Sequence, residues 1–140
     1  NGRATVKAAL TSGVARQMND NATAGHEKIG DRQYHHFTIT VPQGATQLQI
    51  VLDGNLYDMN LYAKNGDFAF NGEQDVVAAT NSTAIDETLT IANPTAGTWY
   101  IGVKCNDKVT STYGSANYAY TAKFEMLNGL AYTVTATVQQ

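Results

Sequence analysis

At 140 residues and 15.0 kDa, with a net charge of −3 and a pI near 5.4, the chain has the size of one domain and lacks the basic surplus that would neutralise nucleic-acid phosphates. Charged residues make up only 15% of it and tyrosine, at 8, outnumbers the other aromatics, a balance that suits a β-rich extracellular module better than a helical bundle. No apolar run approaches the roughly 20 residues of a membrane span. The chain starts at Asn1 with nothing resembling a signal peptide, and is expected to be an excised piece of a longer one.

In chain order, Val6, Ala8 and Leu10 share one phase, as a leading strand or part of a linker would, and residues 11–30, rich in Asn, Asp, Ala and Gly, read as loop. Residues 1–29 are thus a linker or leading strand and loop, and 30–140 the folded body. From there the period is two, the period of strands. Phe37, Ile39 and Val41 alternate with Thr38 and Thr40, and after Pro42-Gln43-Gly44 come Leu48, Ile50 and Leu52, alternating with Gln47 and Gln49. Two such runs split by a Pro/Gly turn predict an antiparallel pair.

Met59, Leu61 and Ala63 continue the pattern up to Asn65-Gly66-Asp67, a turn whose Asn and Gly tolerate positive φ. Val76 to Thr80 is a short strand, and Leu89 and Ile91 follow with Thr88 and Thr90 outward, ending at Asn93-Pro94. Trp99 to Cys105 is the strongest inner strand. Tyr118, Tyr120, Ala122, Phe124 and Met126 share a face, and beyond a hairpin turn at Asn128-Gly129 so do Tyr132, Val134, Ala136 and Val138. These runs amount to about eight strands at short, regular spacing, an all-β chain folded as a single antiparallel β-sandwich.

Chemistry-bearing residues are few. Asp58, Asn60 and Tyr62 project from one strand face, so two oxygen donors stand together. Calcium wants six to eight oxygens, which Asp31, Asp53 or Asp67 would have to complete. The other reading has Asp58 and Asn60 bonding turn backbone. His26-Glu27-Lys28-Ile29-Gly30 opens like a zincin helix, but Gly30 stands where the second His must be. His35 and His36 are adjacent on a strand and point to opposite faces, so they cannot share a metal. His35, in phase with Phe37, is expected to be packed and hydrogen-bonded near the sandwich rim, and His36 to be solvated.

Cys105 shares phase with Trp99 and reads as a small buried hydrophobe. Asp86-Glu87 reads as a solvated pair at a strand edge, and the serines fall in loops without a nucleophile elbow. An enzyme is not expected. Tyr57, Tyr62, Tyr100 and Tyr113 lie on or beside outward positions, where tyrosines can serve as a ligand-binding surface for a polysaccharide or a protein fibre. Cross-strand packing is the alternative use of such rings.

One ordered set of segments resembles a known family. Tyr34-His35-His36-Phe37-Thr38-Ile39-Thr40-Val41-Pro42, then Ala45-Thr46-Gln47-Leu48, Asp58-x-Asn60-Leu61-Tyr62 and Pro94-x-x-Gly97-x-Trp99-Tyr100 are similar, over roughly residues 30–126, to the bacterial pre-peptidase C-terminal (PPC) domain. The resemblance implies a jelly-roll-like β-sandwich without catalytic residues, in a secreted or cell-surface bacterial protein. It would be covalently linked to a protease or other hydrolase, and would aid attachment to substrate or surface, or secretion and maturation. Family relatives, the clostridial collagen-binding domains, bind collagen and calcium, so a collagen-like fibre is a partner the resemblance points to. A calcium site is not carried over from them, and calcium at Asp58 and Asn60 rests on those two oxygen donors alone, with no cofactor required. Two departures stand out: Asn60 replaces the second acid of Asp-x-Asp-Leu-Tyr, and the acidic Glu-Pro-Asn-Asp type of segment is absent. A carbohydrate-binding module, which would need a flat row of outward aromatics, and an adhesin or stalk module are the rival readings.

Overall fold

The alternating runs fold into two sheets that press their apolar faces together. A computed structural model describes residues 6–19, 22–29, 34–53, 59–79, 87–105 and 131–140. Among them are nine strands: β1 (Val6–Ala9), β2 (Arg16–Met18), β3 (Tyr34–Val41), β4 (Gln47–Asp53), β5 (Met59–Asn65), β6 (Val77–Ala79), β7 (Glu87–Ala92), β8 (Gly97–Cys105) and β9 (Tyr132–Gln139). One sheet has the order β1-β3-β8-β5-β6 and the other β2-β9-β4-β7. All pairings are antiparallel except β1 on β3, which is parallel. The chain is therefore the all-β, antiparallel-rich sandwich that the period predicts. Among the described residues no helix is long and apolar enough to cross a membrane.

The core forms where the in-phase residues meet. Phe37, Ile39, Leu61, Trp99, Ile101, Val103 and Cys105 from one sheet pack against Leu48, Ile50, Leu52, Leu89, Tyr132, Val134 and Ala136 from the other. Each large apolar side chain removed from water contributes about 1.5–3 kcal/mol, so this layer is the main stabilising term. β8 is central, paired along its length with β3 on one side and β5 on the other. That position explains why its apolar run is the longest.

Three expectations need correcting. β3 and β4 are not partners: they lie in different sheets, and the chain crosses between the sheets at residues 42–46. The Thr46 amide donates to the Gln139 carbonyl at 2.8 Å and its own carbonyl accepts from the Asn93 amide at 2.8 Å, so β9 and β7 capture the chain as it leaves the turn. A Pro/Gly turn reverses the chain equally well within a sheet or across the sandwich, and the signal is the same. Residues 11–30 are not all loop, because β2 pairs with Tyr132–Val134 of β9. With three residues, of which only Met18 is buried, it is too short to show a period. Glu87 is not solvated: it is 4% exposed, in phase with Leu89 and opposite Leu52. The expected strand at 118–126, the turn at Asn128-Gly129 and Asp86 lie outside the described residues.

The Pro94-x-x-Gly97-x-Trp99 segment has a structural explanation. The Asn65 side-chain amide donates to the Thr95 hydroxyl at 2.9 Å and to the Thr95 and Ala96 carbonyls at 3.3 and 3.2 Å. Trp99 Nε1 donates to the same Thr95 carbonyl at 2.8 Å. Gly97 takes a φ of +134°, in the region that favours glycine, and a Cβ there would lie 3.2 Å from Asn65 Oδ1. The turn into β8 is thus fastened from β5 and from the core at once.

Candidate functional site: an aromatic face under a strap

The outward positions of the five-stranded sheet are set by register. Tyr34, Lys104 and Asn60 form one row across β3, β8 and β5; His36, Gly102 and Tyr62 form the next; Thr38, Tyr100 and Lys64 form the third. Only the middle residue of the central row lacks a side chain, and the chain uses the gap. After β5, the segment 66–76 folds back over the sheet and sets the Ala69 carbonyl on Gly102, where a Cβ would be only 2.5 Å from it.

This strap is fastened by polar groups of the face. His36 Nε2 donates to the Ala69 carbonyl at 3.2 Å, and the Asn71 amide donates to the Tyr34 hydroxyl at 3.1 Å. The Gly66 amide holds the Thr98 carbonyl at 2.8 Å. His36 is therefore buried, at 2% exposure, and the expectation that it is solvated is corrected: it faces outward, but Phe68, Ala69 and Phe70 cover it. Burial lowers its pKa, while the Ala69 carbonyl and the Glu73 charge oppose that shift.

Around this anchor the rings form a connected cluster. Centroid separations are 4.9 Å for Tyr34–Phe70, 4.8 Å for His36–Phe70, 5.0 Å for His36–Phe68 and 5.0 Å for Phe68–Tyr100. The Tyr34 and His36 rings stack near-parallel at 5°, whereas the half-buried rings are tilted to one another: 72° between Tyr34 and Phe70, 37° between Phe68 and Phe70, and 58° between Phe68 and Tyr100. Tyr34, Phe68, Phe70 and Tyr100 are all half-buried. Two half-buried cations share the face, Lys64 beside Tyr100 in register and Lys104, whose Nζ lies 5.7 Å from the Tyr34 ring centre. The result is a half-buried aromatic patch with positive charge on β5 and β8.

Of the residues singled out from the sequence, Tyr100 lies on this face with part of its ring exposed. Tyr62 has the outward phase expected of it but is 1% exposed, with the Tyr34 ring 6.1 Å away, so its ring is not surface. Asn60 is buried beside it and donates to the Tyr62 hydroxyl at 3.4 Å. Its carbonyl oxygen accepts no hydrogen bond among the described residues, which leaves one oxygen donor available. Asp58, Tyr57 and Tyr113 lie outside the described residues. Among the described residues no group of three or more His, Cys, Asp or Glu side chains is placed to hold a metal.

Sequence reasoning missed Tyr34, Phe68, Phe70, Lys64 and Lys104. The available signal was Phe68-Ala69-Phe70, an apolar triplet directly after a strong turn, where a solvated loop would be polar.

The comparisons with known proteins bear on this same stretch. The profile of the bacterial pre-peptidase C-terminal domain matches residues 33–104, which contain every ring and lysine of the face. Among solved structures, the pre-peptidase C-terminal domain of a collagenase from Bacillus anthracis is similar at 11% identity and a TM-score of 0.56, over 98% of this chain and 99% of that one. PliG of Aeromonas hydrophila, a periplasmic inhibitor of g-type lysozyme, is similar at 10% identity and a TM-score of 0.54, over 98% of this chain and 100% of that one. At such identities the likeness speaks for the fold.

Proposed function

The chain belongs to the bacterial pre-peptidase C-terminal domain family, a non-catalytic domain type, and from that premise we propose that it is an accessory module of an exported bacterial protease or other hydrolase, which it attaches to an insoluble substrate or surface. The observation that carries the reading is the half-exposed aromatic face with its two lysines, lying wholly within the family-matched span. Tyrosine and phenylalanine in a well-packed patch are the residues that dominate protein contacts. The domain contributes binding, and the chemistry belongs to a covalently linked partner domain.

The tilt of the rings favours a polypeptide over a polysaccharide. A sugar chain stacks on a flat row of rings, whereas the half-buried rings meet at interplanar angles of 72° and 58° and so present no flat row. Because one structural neighbour comes from a collagenase, collagen is the first fibre to try. Calcium is proposed as an accessory ion held through Asp58 and Asn60, since Asn60 keeps an oxygen available. Cosedimentation of the isolated chain with collagen fibres, cellulose and chitin tests the reading. Retention on the protein fibre is the expected result; retention on a polysaccharide alone would support the carbohydrate-binding reading, and retention on none would remove the attachment role.

A further inference from the structure

Strands β1 and β2 each lie at one edge of their sheet, and the 22–29 segment runs beside them, tied to β1 through Glu27 and Lys7 and to β2 through the Arg16 bond to the Gly25 carbonyl, with Ile29 fully buried. Their backbone pairings are short: β1 pairs with β3 at three positions next to His36, with the Leu10 amide donating to the Thr38 carbonyl at 2.7 Å just beyond, and β2 pairs with β9 at three positions ending at Tyr132, with the Gly13 amide donating to the Ala136 carbonyl at 2.9 Å before it. The sheets that hold them share the apolar core, and within that packing their two anchoring strands, β3 and β9, are also joined by a buried polar contact. His35 of β3, 1% exposed, lies with Nδ1 2.6 Å from the hydroxyl of Tyr132 of β9, itself 3% exposed. His35 Nε2 is buried and has no hydrogen-bond partner among the described residues.

We infer that the His35–Tyr132 hydrogen bond is an acid-released latch that holds β1, β2 and the 22–29 segment onto the edge of the sandwich.

The argument is one of proton counting. A neutral imidazole carries one N–H and one lone pair, so a single hydroxyl can serve the buried ring as donor or as acceptor. A second proton makes both ring nitrogens donors. Nδ1 must then donate to the Tyr132 oxygen, the hydroxyl proton has to turn away, and Nε2–H has no acceptor among the described residues. A buried charge without full pairing costs several kcal/mol.

The surrounding groups do not rescue it. Lys7 of β1 adds positive charge, His36 on β3 does the same when protonated, and Arg16 of β2 lies by Tyr132; Glu27 is the opposing carboxylate. Glu27 is already engaged, pairing with Lys7 at 3.5 Å and accepting the Gly25 amide at 3.0 and 3.1 Å. Desolvation is the largest cause, and it pushes the His35 pKa down from 6.5 to about 4. A histidine held neutral in the folded state but free to protonate when released stabilises fully above pH 6.5, and the stabilisation is lost as pH falls from 6.5 towards 4. At pH 5 those values make release about 30-fold more favourable than at pH 8.

Amide hydrogen exchange of the whole chain at pH 8 and pH 5, normalised for intrinsic exchange, tests the latch. The expected result is a loss of protection of about 30-fold in residues 6–10 and 16–18, while β4 and β8 keep theirs. In His35→Gln the edge protection should no longer depend on pH across this range. An edge that keeps its protection at pH 5, an equal loss in β4 and β8, or an undiminished pH dependence in His35→Gln each overturns the proposal. Should His35→Gln fail to fold, ring-nitrogen NMR of the native chain decides. A folded His35 that still carries one proton at pH 5.5 supports the latch, and one that titrates near 6.5 with the edge still protected overturns it.

Discussion

The Ala69 carbonyl oxygen rests on Gly102, 2.5 Å from the point where a side chain at 102 would begin. That contact lets the strap lie flat on the central strand, and with it His36 can reach the same carbonyl at 3.2 Å. The aromatic face therefore depends on one missing Cβ in the middle of β8. A strand-interior glycine often marks such a close backbone approach.

Gly102→Ala should lift the strap. The Cβ meets backbone, which cannot swing aside as a flexible side chain can, so the His36–Ala69 hydrogen bond is lost and the rings repack. Overpacking of this kind costs about 1–3 kcal/mol. Urea unfolding should show that loss, and near-ultraviolet circular dichroism should change with it because the rings lose their fixed setting. A variant as stable as the parent, with the same aromatic signal, would show that the strap does not need the gap.

Asn65→Ala should loosen the entry to β8. The amide holds the 95–96 turn through the contacts at 2.9–3.3 Å, and removing it leaves the Thr95 carbonyl to Trp99 Nε1 alone. A loss of about 1–2 kcal/mol is expected. The chain has a single tryptophan, so a red shift of its emission in the folded variant would report the loosened turn directly.

Calcium, if Asp58 and Asn60 hold it, should raise the melting temperature relative to chelator. A ligand that binds only the folded state contributes about 2.7 kcal/mol at a hundred times its Kd, several degrees for a domain of this size. Asp58→Asn should abolish the shift. Equal melting with calcium and with chelator would remove the ion from the account.

Much of this architecture was legible because the physics is local. Period-two alternation put Phe37, Trp99, Cys105 and Tyr132 inward, and all four are buried in the core. The same phase made His35 a packed, hydrogen-bonded residue. What stayed hidden depended on what lies above a strand. Phase says that His36 and Tyr62 face outward, but only the path of the 66–76 segment makes them buried. The crossing between β3 and β4 was equally invisible, since it is settled by β9 and β7 capturing Thr46 and not by the turn residues. Glu87 shared phase with Leu89 throughout, and its charge disguised an inward position.

The attachment role rests most directly on the aromatic face, and comparing variants of that face in fibre binding tests it. Phe70→Ser and Tyr100→Ser each remove a half-exposed ring from the patch, while Thr90→Ala, exposed on β7 of the opposite sheet, serves as control. Contact aromatics of this kind are worth about 1–2 kcal/mol or more, so each ring variant should bind collagen fibres roughly tenfold more weakly, with the control unchanged and all three chains folded. Equal affinity for the fibre in the ring variants and the parent would contradict the account and move the binding surface elsewhere on the sandwich.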